Sequence, residues 1–511
     1  MPHLVTEERA LIFLGDMASF SSAGDAPATS PRLSTSKSVV EGDVTGNTGE
    51  AALGESELAE KTKDFWLGHQ RWENSVLATP LDIVVDSPEQ VKSFASSYVQ
   101  YSVKSNPMGY DVKRRYSDFT WLRETLARRY VGVLVPTLPE KGGLKFSNTK
   151  FIQLRMRSLA IFVERLVQNA YLKSDVSVMD FLSITDRKAF DAAKKAVKEK
   201  SYEATLASAF EGHGPERANV GEVKWREALD TYTLPENTER SINAVKLQID
   251  SLEKVMEGVI RASSKVVERS EAYQREMGEF KVAFASMMLT EQGAQTNQSS
   301  QNRGALSNIL QKMGSLFDRW HFVLKLEPIV NELLFHEVLK YELYQLRALR
   351  DLLKQRDAMI EAHQKASKLV RKKELDQQSL VTRGKDDKAQ KMDEPIRVGH
   401  VNVKKCEYVV NFMTKGLFFS ELDRFYTSKV NSLTEMMATF SAAQLSYSSK
   451  LNSIWTMTMD DIGGDAAGSA TRANLILDRL GVLEDMEQFA ASEAATRKKV
   501  GSAGHNRNST M

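Results

Sequence analysis

The run Lys113-Arg114-Arg115-Tyr116-Ser117-Asp118-Phe119 sets three cations against a tyrosine where strand-like sequence gives way to helix-like sequence. A guanidinium forks onto phosphate oxygens, and an aromatic face packs against a sugar-like ring, so two arginines beside a tyrosine suit an inositol phosphate. Taken alone, the heptapeptide also fits a solvated basic strand end. A second group of cations lies far downstream. Between Lys365 and Lys405, twelve lysines and arginines, among them Lys368, Arg371, Lys372, Lys373, Lys385, Lys388 and Lys391, meet only six acids, a local excess of +6. Each cation held near an anionic leaflet contributes about 1 kcal/mol within a Debye length of about 8 Å. The alternative is a solvated, partly disordered loop.

The elements that must hold the first group are short. Residues 81–85, 97–103 and 110–116 have the β-branched and aromatic content of a small antiparallel sheet, with a turn at Ser105-Asn106-Pro107-Met108-Gly109. A helix is expected over 118–129, with Asp118 at its N-cap and Phe119, Leu122 and Leu126 on one face. Residues 135–143 contain two prolines and two glycines and form neither helix nor central strand. An amphipathic helix follows at 149–169, with Leu159, Phe162, Val163 and Leu166 inward, and a short one at 176–182.

From residue 186 the pattern is helical. Ile242, Val245, Ile249, Leu252, Met256 and Val259 alternate spacings of three and four, and Val266, Tyr273, Met277, Phe280, Phe284 and Met287 continue a narrow apolar seam through 236–290. A polar loop is expected at 291–303. A second helix, 316–374, carries Leu339, Leu343, Leu346, Leu353 and Ile360, with Pro328 as a kink or a true start. A third, 401–457, carries Val430, Leu433, Met437, Phe440, Tyr447, Leu451 and Ile454. Helices of about 50 residues run about 75 Å and are stabilised by packing on one another, which predicts an elongated three-helix bundle. Residues 20–60 lack the apolar side chains to offset their ordering entropy and are expected to be disordered, with ordered chain beginning at Phe65, Trp66, Trp72 and Leu77. Residues 186–213 form a basic amphipathic segment that either lies in a headgroup layer or packs on the first long helix. After Gly463-Gly464 one short helix, 473–480, precedes a disordered end.

The totals narrow the function classes. The chain has 511 residues, 42% hydrophobic and 27% charged, a soluble multidomain profile. A net charge of +2 argues against a dedicated nucleic-acid binder. The lone cysteine, Cys406, excludes an intramolecular disulfide and a Cys-rich metal site. No apolar run approaches the roughly 18 residues of a membrane span, which predicts a cytosolic or peripheral protein. There is no Walker loop and no dinucleotide-binding glycine pattern, and His336-Glu337 lacks the second histidine of a zinc-protease helix, so neither catalysis nor a cofactor is expected.

In order and spacing, Arg114-Arg115-Tyr116-Ser117-Asp118-Phe119, Trp121-Leu122-Arg123, Pro136-Thr137-Leu138-Pro139-Glu140-Lys141 and Phe151-Ile152-Gln153-Leu154-Arg155 leading into Leu159 and Phe162 resemble the PX domain of sorting nexins. Pro136-Thr137 departs from the two adjacent prolines frequent in the family. The resemblance implies an α+β fold, a three-stranded antiparallel sheet plus helices. It also implies that Arg115 holds the 3-phosphate of phosphatidylinositol 3-phosphate, Tyr116 floors the inositol ring, Lys141 reaches the 1-phosphate and Arg155 hydrogen-bonds the 4- and 5-hydroxyls. Leu144 and Phe146, flanking Lys145, then dip into the lipid interface while the lysine meets headgroups, or Phe146 packs under the loop. Glu421-Leu422-Asp423-Arg424-Phe425, with Lys429, Gln444, Tyr447 and Ile454-Trp455, resembles the BAR domain of PX-BAR sorting nexins, although Asn431 and Ser432 stand where the family commonly has an acid. This implies an all-α, elongated three-helix BAR domain that pairs into a crescent with basic tips.

The expected organisation is a mostly disordered 1–76, a PX domain at 77–184, a linker at 185–222, a BAR domain at 223–460 and a tail at 461–511. The expected function is phosphoinositide binding and curvature sensing or induction in endosomal sorting and recycling, with autophagy as an alternative route; the sequence does not choose among these. Expected partners are anionic membrane, a second copy or another BAR sorting nexin, and cargo or coat proteins, with no nucleic acid. The expected location is the cytosolic face of endosomes. The rival readings are a coiled-coil scaffold addressed to endosomes without remodelling them, and an accessory subunit of an enzyme.

Overall fold

The computed structural model describes residues 49–92, 97–139, 149–197, 219–293, 301–463 and 465–480, with 486 and 488–492 near the end. Lys141, Leu144, Lys145 and Phe146 lie outside these residues. The chain divides into two compact units, one of Met1–Ser263 with Leu333–Ala438, the other of Ser264–Glu332 with Thr439–Met511.

In the first unit, β1 (Asp82–Lys92), β2 (Ser97–Asn106) and β3 (Tyr110–Arg115) form an antiparallel sheet in that order. Val85 faces Val103 and Val103 faces Val112, so these residues with Val99 and Tyr101 line the buried side. β1 runs past residue 85 because a bulge between Asp86 and Glu89, with Ser87 at φ 47°, lets the strand resume pairing. α2 (Tyr116–Arg129), α3 (Thr149–Val167), α4 (Ala170–Lys173) and α5 (Val176–Ser183) follow, and Phe119, Leu122, Leu126, Leu159, Phe162, Val163 and Leu166 are buried as their spacing requires. Asp118 is not the N-cap of α2. Arg115 is, and Asp118 sits at the third position, where its carboxylate accepts the Arg115 N–H at 3.0 Å.

The core continues beyond this sheet. α1 (Gly49–Ala78) is helical well before Phe65, and the disorder expected to residue 60 does not extend over its first turns. Its Phe65, Trp66, His69 and Trp72 join a cluster with Tyr171, Trp225 and Phe419, the Tyr171 and Trp225 rings being 5.0 Å apart and Trp66 and Phe419 5.5 Å. Trp225, on α7 (Val220–Thr231), is fully buried and donates to the Val131 carbonyl at 3.1 Å. α6 (Arg187–Ala196) packs on the helices beside the sheet. Its Phe190 is buried 5.6 Å from Trp121 and 6.2 Å from Phe181, against the sheet's own helices. The rest of that segment, 198–213, lies outside the described residues.

The bundle comprises α8 (Thr238–Gly293), α9 (Gln301–Leu324), α10 (Leu326–Asn331), α11 (Glu337–Thr382), α12 (Asp386–Gln390), α13 (Asp393–Gly416) and α14 (Leu422–Ile462), followed by α15 (Ala466–Arg479). The second run starts at Gln301, not at 316, and the third at Asp393, not at 401. Pro328 sits in the first turn of α10, where a missing N–H costs no helical bond, so the break falls at Lys325. Single π-turns interrupt the runs at Glu332–His336 and Leu417–Glu421. The apolar seams behave unequally along their length. Ile242, Ile249, Met256, Leu343, Leu346, Leu349 and Leu353 are buried in the first unit. In the second, Val323, Leu324, Tyr447 and Ile454 form a smaller core, and Phe317 stacks on Phe280 and Phe284 at 5.1 and 5.2 Å. Val259, Val266, Phe280, Met287, Val430 and Met437, from the same seams, remain exposed.

Candidate functional site

Successive residues of a strand face opposite sides, and this divides the two arginines of β3. Arg114 stands opposite Tyr101 on the buried face and is 1% exposed. It donates to the carbonyls of Phe181 at 2.9 Å, Ile184 at 2.6 Å, Asp180 at 3.4 Å and Lys113 at 3.0 Å, and its guanidinium lies 3.9 Å from the Phe190 ring centroid. Four of its five N–H donors go to protein carbonyls. Burial pushes its pKa down to about 10, which still leaves it charged at neutral pH. Arg115 stands opposite Gln100, its side chain 42% exposed, with the guanidinium 5.6 Å from the Tyr98 ring centroid.

Tyr116 opens α2, and its hydroxyl donates to the Pro139 carbonyl at 2.6 Å, while Arg123 Nε donates to the Pro136 carbonyl at 3.0 Å. The proline-bearing loop is thus tied to the helix that carries the tyrosine. Arg155, on α3, is 3% exposed, with its guanidinium 4.7 Å from the Tyr116 ring centroid and 4.4 Å from that of Phe151. The structure therefore brings Tyr116 and Arg155 into contact, with Arg115 the next residue along the chain from Tyr116. Burial pushes the neighbouring Tyr101 hydroxyl up, an effect that Arg155 partly offsets.

Beneath this group lies an ion cluster that sequence reasoning did not find. The fully buried Asp118 carboxylate accepts from Arg187 Nη1 at 2.7 Å and Nη2 at 3.2 Å and from Lys194 Nζ at 2.8 Å, both on α6. Burial pushes the carboxyl up, but Arg187, Lys194 and the Arg115 N–H outweigh it and hold it below the usual carboxylate range. The only local signal was the seven-residue spacing of Arg187 and Lys194, which places them on one helix face.

The second cationic group is built into a helical hairpin, not a disordered loop. Gly384, at φ 64°, ends α11, and Gln377 Nε2 donates to the Ala389 carbonyl at 3.0 Å, closing α12 onto α11. His400 pairs with Glu374 at 2.9 Å across the hairpin. Lys368, Arg371, Lys372, Lys385, Lys388 and Lys391 are exposed on it. Lys373 is half-buried and donates to the Pro395 carbonyl at 3.3 Å. Among the described residues, no helix is long and apolar enough to cross a membrane.

Comparison with known proteins matches these features. The PX domain family matches residues 103–185. Sorting nexin mvp1 of Neurospora crassa is 26% identical over 423 residues, 79% of this chain and 49% of that protein. Sorting nexin 1 of Arabidopsis thaliana is 36% identical over 111 residues, 20% of this chain and 28% of that protein. The chain thus spans about half, or less, of the length of these curated relatives. The structure of the SNX-BAR Mvp1 tetramer superposes with a TM-score of 0.53 at 17% identity, covering 74% of this chain and 100% of that one, a likeness of fold. These features define a PX domain followed by a helical bundle of BAR-type fold. The chain carries a PX domain over residues 103–185 and is similar to PX-BAR sorting nexins in sequence and in fold.

Proposed function

We propose that this chain is a peripheral membrane adaptor. It reads a 3-phosphorylated inositol lipid through Arg115, Tyr116, Lys141 and Arg155, and pairs through its bundle to sense or impose curvature in endosomal sorting. The observation that carries the first half is the stack of Arg155 on Tyr116, with an exposed arginine at the adjoining strand end. A guanidinium stacked on an aromatic ring, with a second and exposed guanidinium at the adjoining strand end, offers forked donors for phosphate oxygens and a flat face for a sugar-like ring. The lipid interface falls to Leu144, Lys145 and Phe146. The second half is supported by two features. Apolar side chains of the long seams stay uncovered in a single chain, Val266, Met287 and Val430 among them, as faces awaiting a second copy or another BAR sorting nexin. The hairpin cations are exposed together, suited to an anionic leaflet.

The test is co-sedimentation of the full chain with vesicles that differ only in phosphoinositide. Arg115→Ala removes a charge-assisted phosphate contact and is expected to cost about 1.5–3 kcal/mol, roughly tenfold to hundredfold in affinity. Unchanged binding removes the pocket from the account. Vesicles that bind the protein yet stay round under the electron microscope favour the scaffold reading over the remodelling one.

A further inference from the structure

α6 belongs to the linker after the PX domain, yet its two inward cations do not serve the linker. Arg187 and Lys194 both close on Asp118, at 2.7 and 2.8 Å, and both also contact Asp191 on their own helix, at 2.9 and 3.0 Å. Among the described residues the third cation within ion-pair distance of Asp118 is Arg115, whose N–H it accepts at 3.0 Å and whose Nε stands 3.9 Å from Oδ1; Arg114 also feels the carboxylate, but its donors are held by the carbonyls of Phe181, Ile184, Asp180 and Lys113. One fully buried carboxylate is therefore within reach of three cations, and one of the three is the residue assigned to phosphate. A buried carboxylate deprived of its partners draws in the nearest remaining cation, because an uncompensated buried charge is costly. With Arg187 and Lys194 in place that demand is met. Arg115 Nε stays beyond hydrogen-bond distance of the carboxylate, and its side chain remains 42% exposed.

We propose that the linker helix sets the availability of Arg115 for a phosphorylated headgroup. Arg187 and Lys194 satisfy Asp118 and leave Arg115 to the phosphate, whereas undocking α6 turns Asp118 into an intramolecular competitor for Arg115. Arg187 and Lys194 are then positioning residues of the lipid site, acting through Asp118, and an event that loosens α6 weakens headgroup binding without touching the pocket. Phe190, buried beneath the helix against Arg114 at 3.9 Å, is the apolar part of the same dock. The proposal rests on the assignment of Arg115 to phosphate made above.

The experiment uses the full chain and two kinds of phosphatidylcholine vesicle, one carrying phosphatidylinositol 3-phosphate and one carrying phosphatidylserine at equal charge. Arg187→Gln with Lys194→Gln is expected to weaken phosphatidylinositol 3-phosphate binding by about tenfold, the scale of one charge-assisted hydrogen bond, and to leave phosphatidylserine binding unchanged. Adding Asp118→Asn removes the competitor while keeping an oxygen for the Arg115 N–H, and is expected to restore most of the loss. If the double variant fails to fold, Arg187→Gln with and without Asp118→Asn makes the same comparison. A loss that Asp118→Asn does not restore overturns the proposal, since it marks a merely structural role. No loss in the linker variant, in a protein where Arg115→Ala does lose binding, overturns it too. No loss in Arg115→Ala overturns the phosphate assignment itself.

Discussion

Arg114→Ala and Arg115→Ala change adjacent residues of the same type, and the structure requires opposite outcomes. Arg114 gives three hydrogen bonds to the carbonyls at the end of α5, those of Asp180, Phe181 and Ile184, and lies between the Phe190 and Phe181 rings at 3.9 and 5.4 Å. A hydrogen bond from a charged donor is worth about 1.5–3 kcal/mol, and a desolvated cation–π contact about 2 kcal/mol. Deletion also returns the cost of burying the guanidinium, which offsets part of that total. A net loss of about 3 kcal/mol remains, roughly a hundredfold in the equilibrium between closed and open α5. Amide hydrogen exchange on the full chain reads this directly, because α5 amides report local opening. Arg114→Ala is expected to lower their protection by about that factor, and Arg115→Ala, whose side chain stands on the other face of the strand and 42% exposed, to leave it unchanged. Equal effects of the two substitutions, or less than about a fivefold change for Arg114→Ala, would refute the division of labour drawn from the strand's alternation.

Two further outcomes follow from the same reasoning. Reversing Lys368, Arg371 and Lys372 to Glu removes three exposed cations and is expected to weaken binding to phosphatidylserine vesicles by at least about a hundredfold at low salt, at about 1 kcal/mol per cation, with the difference shrinking as salt rises; co-sedimentation at two ionic strengths checks it, and unchanged binding means the hairpin does not meet the membrane. His69 Nε2 is hydrogen-bonded to the Tyr171 hydroxyl at 2.8 Å, and burial, reinforced by Lys224, lowers its pKa. A base whose folded pKa is depressed contributes full stability above its unfolded value, near about 6.5, and loses it as pH falls toward the folded value, so α1 exchange protection is expected to drop between pH 7.5 and pH 5.5 in wild type and to change less in His69→Gln.

What the sequence made legible was what local periodicity carries. Phe119, Leu122 and Leu126 on α2, and Leu159, Phe162, Val163 and Leu166 on α3, are buried as a 3.6-residue period demands. Heptad spacing located the long seams, but a seam says only that a face is covered, not by what. Ile242 and Ile249 are covered within the chain, whereas Val266 and Met287 are not. The contact of Tyr116 with Arg155 was accessible through the order of the motifs. The different fates of Arg114 and Arg115 were also legible, because neighbours on a strand face opposite ways, and the motif order assigned phosphate to Arg115 alone. Composition averaged over residues 20–60 concealed α1, although Phe65, His69, Trp72 and Val76 recur at helical spacing. The pairing of Asp118 with Arg187 and Lys194 spans 69 and 76 residues, and no local pattern announces such a bond.

The stretch that most resembled a bundle helix turns out to hold the PX domain. The π-turn at Leu417–Glu421 re-aims its residues, so that Glu421, 1% exposed, accepts the Leu134 N–H at 2.9 Å and pairs with Arg424, while Phe419 enters the aromatic cluster around Trp225. Arg424 reaches Glu73 of α1 at 3.7 Å. On the other side, Glu342, also 1% exposed, receives Arg165 at 2.8 Å, and Gln345 donates to Thr137 at 3.1 Å in the loop that walls Tyr116. The apolar core runs without interruption from Tyr130, Val131 and Tyr171 to Trp225, Phe412, Met413 and Leu417. Residues 77–184 therefore mark a unit of sequence but not a unit of burial. Cut at 184, the chain would leave Tyr130, Val131 and Tyr171 facing water and would lose the Gln345 anchor of the proline loop, so headgroup affinity measured on that segment alone does not stand in for the affinity of the full chain.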